Sequence, residues 1–404
     1  MNHQHVPAHV VPAAACAPTA TDPDATDRFF NSVLSAVPRV GQATSVLVAH
    51  LLPSQPTFLK SLRRVSTLAA VIPKPNSVQK SVRRPLEKLT RCDELSRSDL
   101  SRPDALVEYL ELRAAGQPVV LLDVGGYFAP GLAAACTGFS GQVLGVVEDT
   151  ENGLRRYEEF DKLACAVYSV ARSPLKEAED RLVGESIVFS TEALLRSVGE
   201  VLTGRPACVI GYGKLGSSIA DALHARRTPV NVVERDPVRL IHALSVGHRA
   251  TRRLHDVLPE AELVSCATGS RCLTTTDMQH LRDGAYVASV TSADDELELT
   301  GLAEAFTGEP VAPHIMRYRH RGGSFHLLNE GNAVNFLHGS ALGPSIHLVQ
   351  AEMLLALTQL ADVPHPPGLC ELSAELRHHI ADAWVNAFHP ASHPRSAVSI
   401  RELS

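Results

Sequence analysis

The sequence predicts an α/β protein built on parallel sheet. Two observations carry this. From Ala207 to about Val290, short apolar strands alternate with helical stretches, the order in which β-α-β units lay strands side by side. Upstream, the strand-like runs 118–123 and 142–147 each end in a polar turn, at Gly125-Gly126 and at Glu148-Asp149, as strands do beside a ligand crevice.

Taken in order, residues 1–28 are rich in Ala, Pro, His and Thr and hold Asp22, Asp24 and Asp27 near their end. With no basic start and no continuous apolar core they are expected to form a disordered arm and not a signal peptide. Residues 29–112 mix apolar bursts at 46–52 and 68–72 with charged, helix-like stretches and show no clear period. After the two strands come a strand-like 164–170 and a loop carrying Lys176 and Asp180. Leu194, Leu195, Val198, Val201 and Leu202 give 190–202 a helical face before Gly204 and Pro206, so a connecting helix is expected there. Four strands are then expected at 207–210, 230–233, 263–267 and 285–290. Ile346, Val349, Met353, Leu354, Leu357 and Leu360 share one face of a helix over 346–360, which Pro364, Pro366 and Pro367 stop. There is no internal repeat.

Composition narrows the function classes. The 404 residues are 45% hydrophobic, enough for two or three buried cores. A net charge of -6 without a long basic run argues against nucleic acid or a membrane surface as partner. No apolar run approaches the roughly 18 residues of a spanning helix, so no membrane partner and a cytoplasmic location are expected. The eight cysteines form no CxxC pair and fit reduced thiols. Among 19 histidines, pairs such as His378-His379 or His3 and His5 lack carboxylate or Cys partners at ligand spacing, so no metal site is expected.

The strongest local signal is Ile210-Gly211-Tyr212-Gly213-Lys214-Leu215-Gly216, which leaves the 207–210 strand and enters a helix with Leu215, Ile219, Ala222 and Leu223 on one face. Gly211 permits the tight turn, Gly213 the close backbone approach, and Gly216 the contact of helix with strand. The helix amino terminus then points its free N–H groups at a pyrophosphate. Glu234 ends the next strand, where an acid accepts ribose hydroxyls and repels a 2′-phosphate, which selects NAD over NADP; Arg235 beside it softens that selection. A glycine-rich turn in a plain α/β core is the weaker alternative, because strand, helix and acid all stand in place.

The run Gly211-Tyr212-Gly213 with Gly216, followed by Glu234-Arg235-Asp236-Pro237, closely resembles the cofactor domain of S-adenosylhomocysteine hydrolases. Other stretches resemble the family in the same order: Asp123-Val124-Gly125-Gly126, Glu148-Asp149-Thr150-Glu151-Asn152-Gly153, Lys176 and Asp180 four apart, Glu330-Gly331-Asn332-Ala333-Val334-Asn335, and Gly343-Pro344-Ser345. The resemblance implies an α/β fold in which a Rossmann NAD-binding domain (190–338) is inserted between the parts of an α/β substrate-binding domain (29–189, with returning helices over 339–390), followed by a tail, 391–404. It implies NAD held tightly and recycled, an adenine nucleoside as small-molecule substrate, and a homo-oligomer, tetramer or dimer. It implies catalytic roles for Lys176, Asp180, Asp149, Asp123 and His50. The cofactor would meet Gly211, Gly213, Lys214, Leu215, Gly216, Glu234, Arg235 and Arg239, with Thr150, Asn152, Thr268, Gly269 and Asn335 nearer its nicotinamide end. By the family's mechanism the 3′-hydroxyl is oxidised, the hydrogen on C4′ becomes acidic, a group leaves C5′, and the hydride returns. A lysine lowered by desolvation, with Asp180 orienting it, would serve as base.

The departures from the family's pattern concentrate on the substrate side. Val124 stands for a second acid, Asp149 for a second glutamate, Arg181 for an asparagine after Asp180, and Thr291-Ser292 for a Gly-His pair. Gly343 replaces a histidine, for which His338 and His347 are candidate substitutes, and Leu52 and Ser54 replace adenosine-contacting Thr and Glu residues. The chain ends at Ser404 without the family's Lys and Tyr tail. The expectation is a nucleoside dehydratase related to the hydrolases, of the kind that makes unsaturated-sugar nucleoside antibiotics. The alternatives are a divergent adenosylhomocysteinase and a non-catalytic NAD-binding regulator.

Overall fold

The computed structural model describes residues 23–35, 43–291 and 296–389. It contains two doubly wound sheets. In the first half of the chain run β1 (Ala43–Leu51), β2 (Ser66–Val78), β3 (Arg91–Cys92), β4 (Pro118–Asp123), β5 (Gln142–Glu148) and β6 (Ala166–Ser169). The second half supplies β7 (Ala207–Ile210), β8 (Val230–Val233), β9 (Arg249–Thr251), β10 (Leu263–Cys266), β11 (Ala285–Ser289), β12 (Thr307–Ala312), β13 (Ile315–His320), β14 (Gly323–Leu328) and β15 (Gly368–Cys370).

The first sheet has the order β15-β6-β5-β4-β1-β2-β3 and every pairing in it is parallel. Its centre is buried on both faces: β1 is Ala-Thr-Ser-Val-Leu-Val-Ala-His-Leu with eight of nine positions buried. That is why 46–52 shows no alternation, since a strand covered on both sides reads as one apolar run. The second sheet has the order β12-β13-β14-β11-β10-β7-β8-β9. Six of its strands, β9-β8-β7-β10-β11-β14, are parallel in the order of a dinucleotide-binding sheet, and β13 and β12 extend it as an antiparallel edge.

Three elements differ from the sequence expectation. Residues 23–28, expected in a disordered arm, begin the helix Pro23–Ser35, whose Ala25, Phe29, Phe30 and Val33 are buried against Phe388 and the helix Ile346–Asp362. The rest of that arm, 1–22, and the tail 391–404 lie outside the described residues. The expected loop at Lys176 and the expected helix over 190–202 are instead one helix, Lys176–Ser197. Its first turns are too polar to show a helical period, and Gly184 hides its packing: a Cβ there would overlap the Ser218 side chain of the crossing helix Lys214–Ala225. Among the described residues no helix is long and apolar enough to cross a membrane, and no cluster of three metal-ligating side chains occurs.

Candidate active site between the two sheets

Each doubly wound sheet reverses its winding once, and ligands bind at the carboxyl ends of the strands where it does. In the second sheet the reversal lies between β7 and β10, and in the first between β1 and β4. Both sets of strand ends line one cleft of ≈ 700 Å³.

On the second-sheet side the glycine loop fits a dinucleotide. Gly211 has φ +94°, and a Cβ there would come 2.7 Å from the Ala267 carbonyl oxygen. At Gly216 a Cβ would overlap the Gly211 carbonyl, so the helix Lys214–Ala225 seats directly on the turn. Gly213 differs, because its missing Cβ would meet only an Arg239 nitrogen, at 3.5 Å. Its side is open toward the cleft, the space a pyrophosphate backbone contact needs. Glu234, at the end of β8, accepts the Tyr212 N–H at 2.7 Å and the Asp236 N–H at 2.8 Å. Leu215, Arg235 and Arg239 line the same wall.

The strand-end loop after β10 is held by a residue the sequence reading missed. Glu296, buried, accepts from the Thr268 N–H (3.1 Å) and hydroxyl (2.8 Å), the Gly269 N–H (2.6 Å) and the Thr291 hydroxyl (3.2 Å). Burial raises the pKa of its carboxyl against those donors. No short motif marks it; only the fold brings Glu296 back under the loop. Ser292 of the Thr291-Ser292 pair lies outside the described residues. Gly269, at φ +66°, leaves room for Asn152, whose side-chain oxygen a Cβ there would overlap. Asn152 therefore comes from the first sheet to the loop at Gly269, and Thr150 caps its helix by accepting the Gly153 N–H at 3.0 Å. Asn335 donates to Ser340 at 2.9 Å, and its buried Oδ1 has no hydrogen-bond partner among the described residues.

On the first-sheet side, Lys176 lies nearly buried with its Nζ 2.7 Å from Glu179 and 3.1 Å from Asp149. Burial pulls its pKa down, but Asp149, Glu179 and Asp180 together outweigh that and hold it well above the ordinary lysine value. This corrects the expected lowered lysine: desolvation is real, yet three carboxylates within Coulomb reach win. Asp180 does not orient Lys176 either. It lies 3.5 Å from Lys214, and its buried Oδ2 has no hydrogen-bond partner among the described residues. Glu179, unforeseen in the sequence, holds the lysine instead, and burial lifts its carboxyl to about 7. The i,i+3 spacing on a helix was the available signal, hidden by the loop assignment.

His50, at the end of β1, faces the same cleft and packs against Phe336 with ring centroids 4.7 Å apart, tilted by 31°. Its Nδ1 lies 2.6 Å from the Ser77 hydroxyl, which itself donates to the Lys74 carbonyl at 3.1 Å. With that hydroxyl proton spent on Lys74, the bond assigns the proton to His50 Nδ1 and leaves Nε2 as an acceptor. Burial, and then the charges of Lys74 and Lys176, push its pKa well below 6.5, so the ring is neutral at pH 7.

Asp123 needs correction as a catalytic residue. It is fully buried outside the cleft lining and accepts the Tyr127 and Phe128 N–H groups, each at 3.0 Å, and the Tyr157 hydroxyl at 2.6 Å. Glu148 beside it takes Gly125 N–H, Gly126 N–H and both donors of Thr150. Desolvation, then the Asp123 charge, raise its pKa to about 8. The two acids shape the Gly125-Gly126 turn. His338 and His347 also fall outside the cleft: His338 lies 3.0 Å from the Ser190 hydroxyl, and His347 packs among Phe29, Phe30 and Phe388. Leu52 and Ser54 do line it, as does Val124.

Sheet order, glycine loop and Glu234 define an NAD-binding α/β protein. More narrowly, residues 184–341 match the family model of the NAD binding domain of S-adenosyl-L-homocysteine hydrolase, and NAD is the cofactor this region binds. Solved structures similar to the chain include a putative D-3-phosphoglycerate dehydrogenase oxidoreductase from Ralstonia solanacearum (15% identity, 80% of this chain and 96% of that one, TM-score 0.43). Another is a D-isomer specific 2-hydroxyacid dehydrogenase from Lactobacillus delbrueckii ssp. bulgaricus (14% identity, 65% and 75%, TM-score 0.34). These superpositions are loose, and the fold rests on the topology of the chain itself.

Proposed function

We propose that the protein oxidises a sugar hydroxyl of an adenine nucleoside transiently, eliminates water across C4′ and C5′, and returns the hydride, with net dehydration to an exocyclic alkene. One observation carries the reading: Lys176, Glu179, Asp149, Asp180 and neutral His50 converge on the cleft that the glycine loop also faces. Bound NAD supplies a reversible acceptor for the hydrogen on the carbon that bears the 3′-hydroxyl.

The residues of the chain do the rest. Lys176 is an ammonium, so it donates a hydrogen bond to the 3′-oxygen and stabilises charge developing there. The proton of that hydroxyl passes to Oδ2 of Asp180, which faces Lys214 at 3.5 Å without a hydrogen bond and whose pKa burial raises toward a useful base. Once the 3′-carbon is a ketone, the C4′ hydrogen is acidic and His50 Nε2 accepts it. His50 then hands that proton to the departing C5′-hydroxyl: the C4′–H and C5′–O bonds break, a C4′=C5′ double bond forms, and water leaves. Return of hydride and proton restores the 3′-hydroxyl. Val124, an apolar side chain in the same cleft lining, neither holds nor activates an attacking water, and Phe336 packs against the imidazole.

The match of residues 184–341 favours a second reading, hydrolysis of S-adenosylhomocysteine to adenosine and homocysteine. Mass spectrometry of purified protein with a panel of adenine nucleosides and that thioether separates them. Loss of one water from a nucleoside is the expected result. Steady thiol release at a catalytic rate would overturn the dehydration in favour of hydrolysis, and no turnover of any substrate would favour a regulator.

A further inference from the structure

We infer that the adenosine end of the cofactor site accepts a ribose 2′-phosphate, so that the protein binds NADP as well as NAD. Three arginines, Arg235, Arg239 and Arg252, line the cleft around Glu234. Their convergence follows from the sheet. Val233 of β8 pairs with Thr251 of β9, and the Glu234 N–H bonds the Thr251 carbonyl at 3.0 Å, so Glu234 and Arg252 leave adjacent strand ends side by side. Arg235 follows Glu234 directly. Arg239 sits in the first turn of the helix Pro237–Ser245, where Asp236 caps its N–H, and a guanidinium nitrogen lies 3.5 Å from where a Gly213 Cβ would stand.

The charge balance there is positive. No ion pair or side-chain hydrogen bond joins the three guanidiniums to another described residue, whereas both Glu234 oxygens already accept backbone N–H groups. Each Glu234 oxygen keeps a lone pair for a ribose hydroxyl, so the acid serves NAD while the arginines around it are left for a 2′-phosphate. Three planar, permanently charged forks around one ribose edge suit a phosphate dianion, which guanidinium groups bind in pairs of parallel hydrogen bonds. The inference does not depend on the reaction proposed above.

Fluorescence or calorimetric titration of the full chain, freed of dinucleotide by dialysis, tests it with NAD and NADP as probes. The expected result is an NADP dissociation constant within about tenfold of that for NAD, the scale of one charged hydrogen bond; a wider gap against NADP overturns the inference. In the double variant Arg235→Ala/Arg252→Ala the ratio of NADP to NAD affinity falls at least about fivefold. A smaller change means the arginines serve the shared pyrophosphate or nothing, and the inference fails. Adenosine 2′,5′-bisphosphate should displace NADP far better than adenosine 5′-monophosphate. Inorganic phosphate competing as well as the bisphosphate would mark a general anion site and contradict the claim.

Discussion

The two sheets solve the same geometric problem with opposite chemistry. At the switch point of the second sheet, β7 opens into a loop shaped by absent side chains: Gly211, Gly213 and Gly216 let backbone and helix approach a ligand. At the switch point of the first, the equivalent turn, Gly125-Gly126, is held by acidic side chains, Asp123 and Glu148, fully buried beneath it. A dinucleotide needs donors that are fixed and neutral, which backbone N–H groups supply. The proton transfers proposed for the first-sheet side need groups whose charge can change: Glu179, Asp180 and His50 have pKa values moved by their surroundings, beside Lys176 held as an ammonium. The cofactor half is built to stay put; the other half is built to titrate.

The sharpest way to break this contrast is to remove Lys176. Lys176→Met should lower nucleoside turnover by about 10²–10³, the usual loss for one charge-stabilising donor, while NAD titration shows affinity within a few-fold of wild type. Equal losses in both would mean the halves are not separate. Next in size is Glu148→Gln, whose NH2 cannot accept a hydrogen bond as either carboxyl oxygen can and so leaves a buried N–H of the turn unpaired. A stability loss of about 2–3 kcal/mol in chemical denaturation is expected. Glu148 also has a signature in pH. Its folded pKa, about 8, stands above the ordinary 4.5, so its contribution favours the fold at low pH and is lost as pH rises through about 8. The stability difference between wild type and Glu148→Gln should therefore change over that window.

The glycine side is sharpened by Gly213→Ala. A Cβ there meets only the end of the Arg239 side chain, so the melting temperature should hold within a few degrees while NAD affinity drops about tenfold, because the pyrophosphate loses its close approach. Gly216→Ala, by contrast, should damage both. The smallest effect concerns Glu179. It clamps Lys176 only when ionised, so turnover should rise with pH through about 7, and Glu179→Gln should remove that limb of the pH profile while changing the plateau only a few-fold.

The same contrast explains what the sequence disclosed. The glycine loop, Glu234 and the strands 207–210 and 230–233 are local, each readable within a short window, and the structure places those strands at the expected residues. The first sheet is not local. Its strand β1 is buried on both faces and loses the alternation that marks a strand. Asp123 and Glu148 look alike to Asp149 in sequence; only burial separates acids that hold a turn from one that faces the cleft. Glu179 and Glu296 were missed because each gains its role from a helix or loop that tertiary packing alone fixes. The lysine pKa was misjudged for the same reason, since one carboxylate was counted where the fold gathers three.

Rapid-mixing absorbance of the protein with bound NAD tests the central claim, that one cleft joins a fixed cofactor to a titrating sugar site. On addition of an adenine nucleoside that is turned over, the reduced-nicotinamide band should rise and decay within the turnover time, with no free cofactor consumed. Accumulation of free reduced cofactor at one per turnover, or turnover with no rise at all, would contradict it.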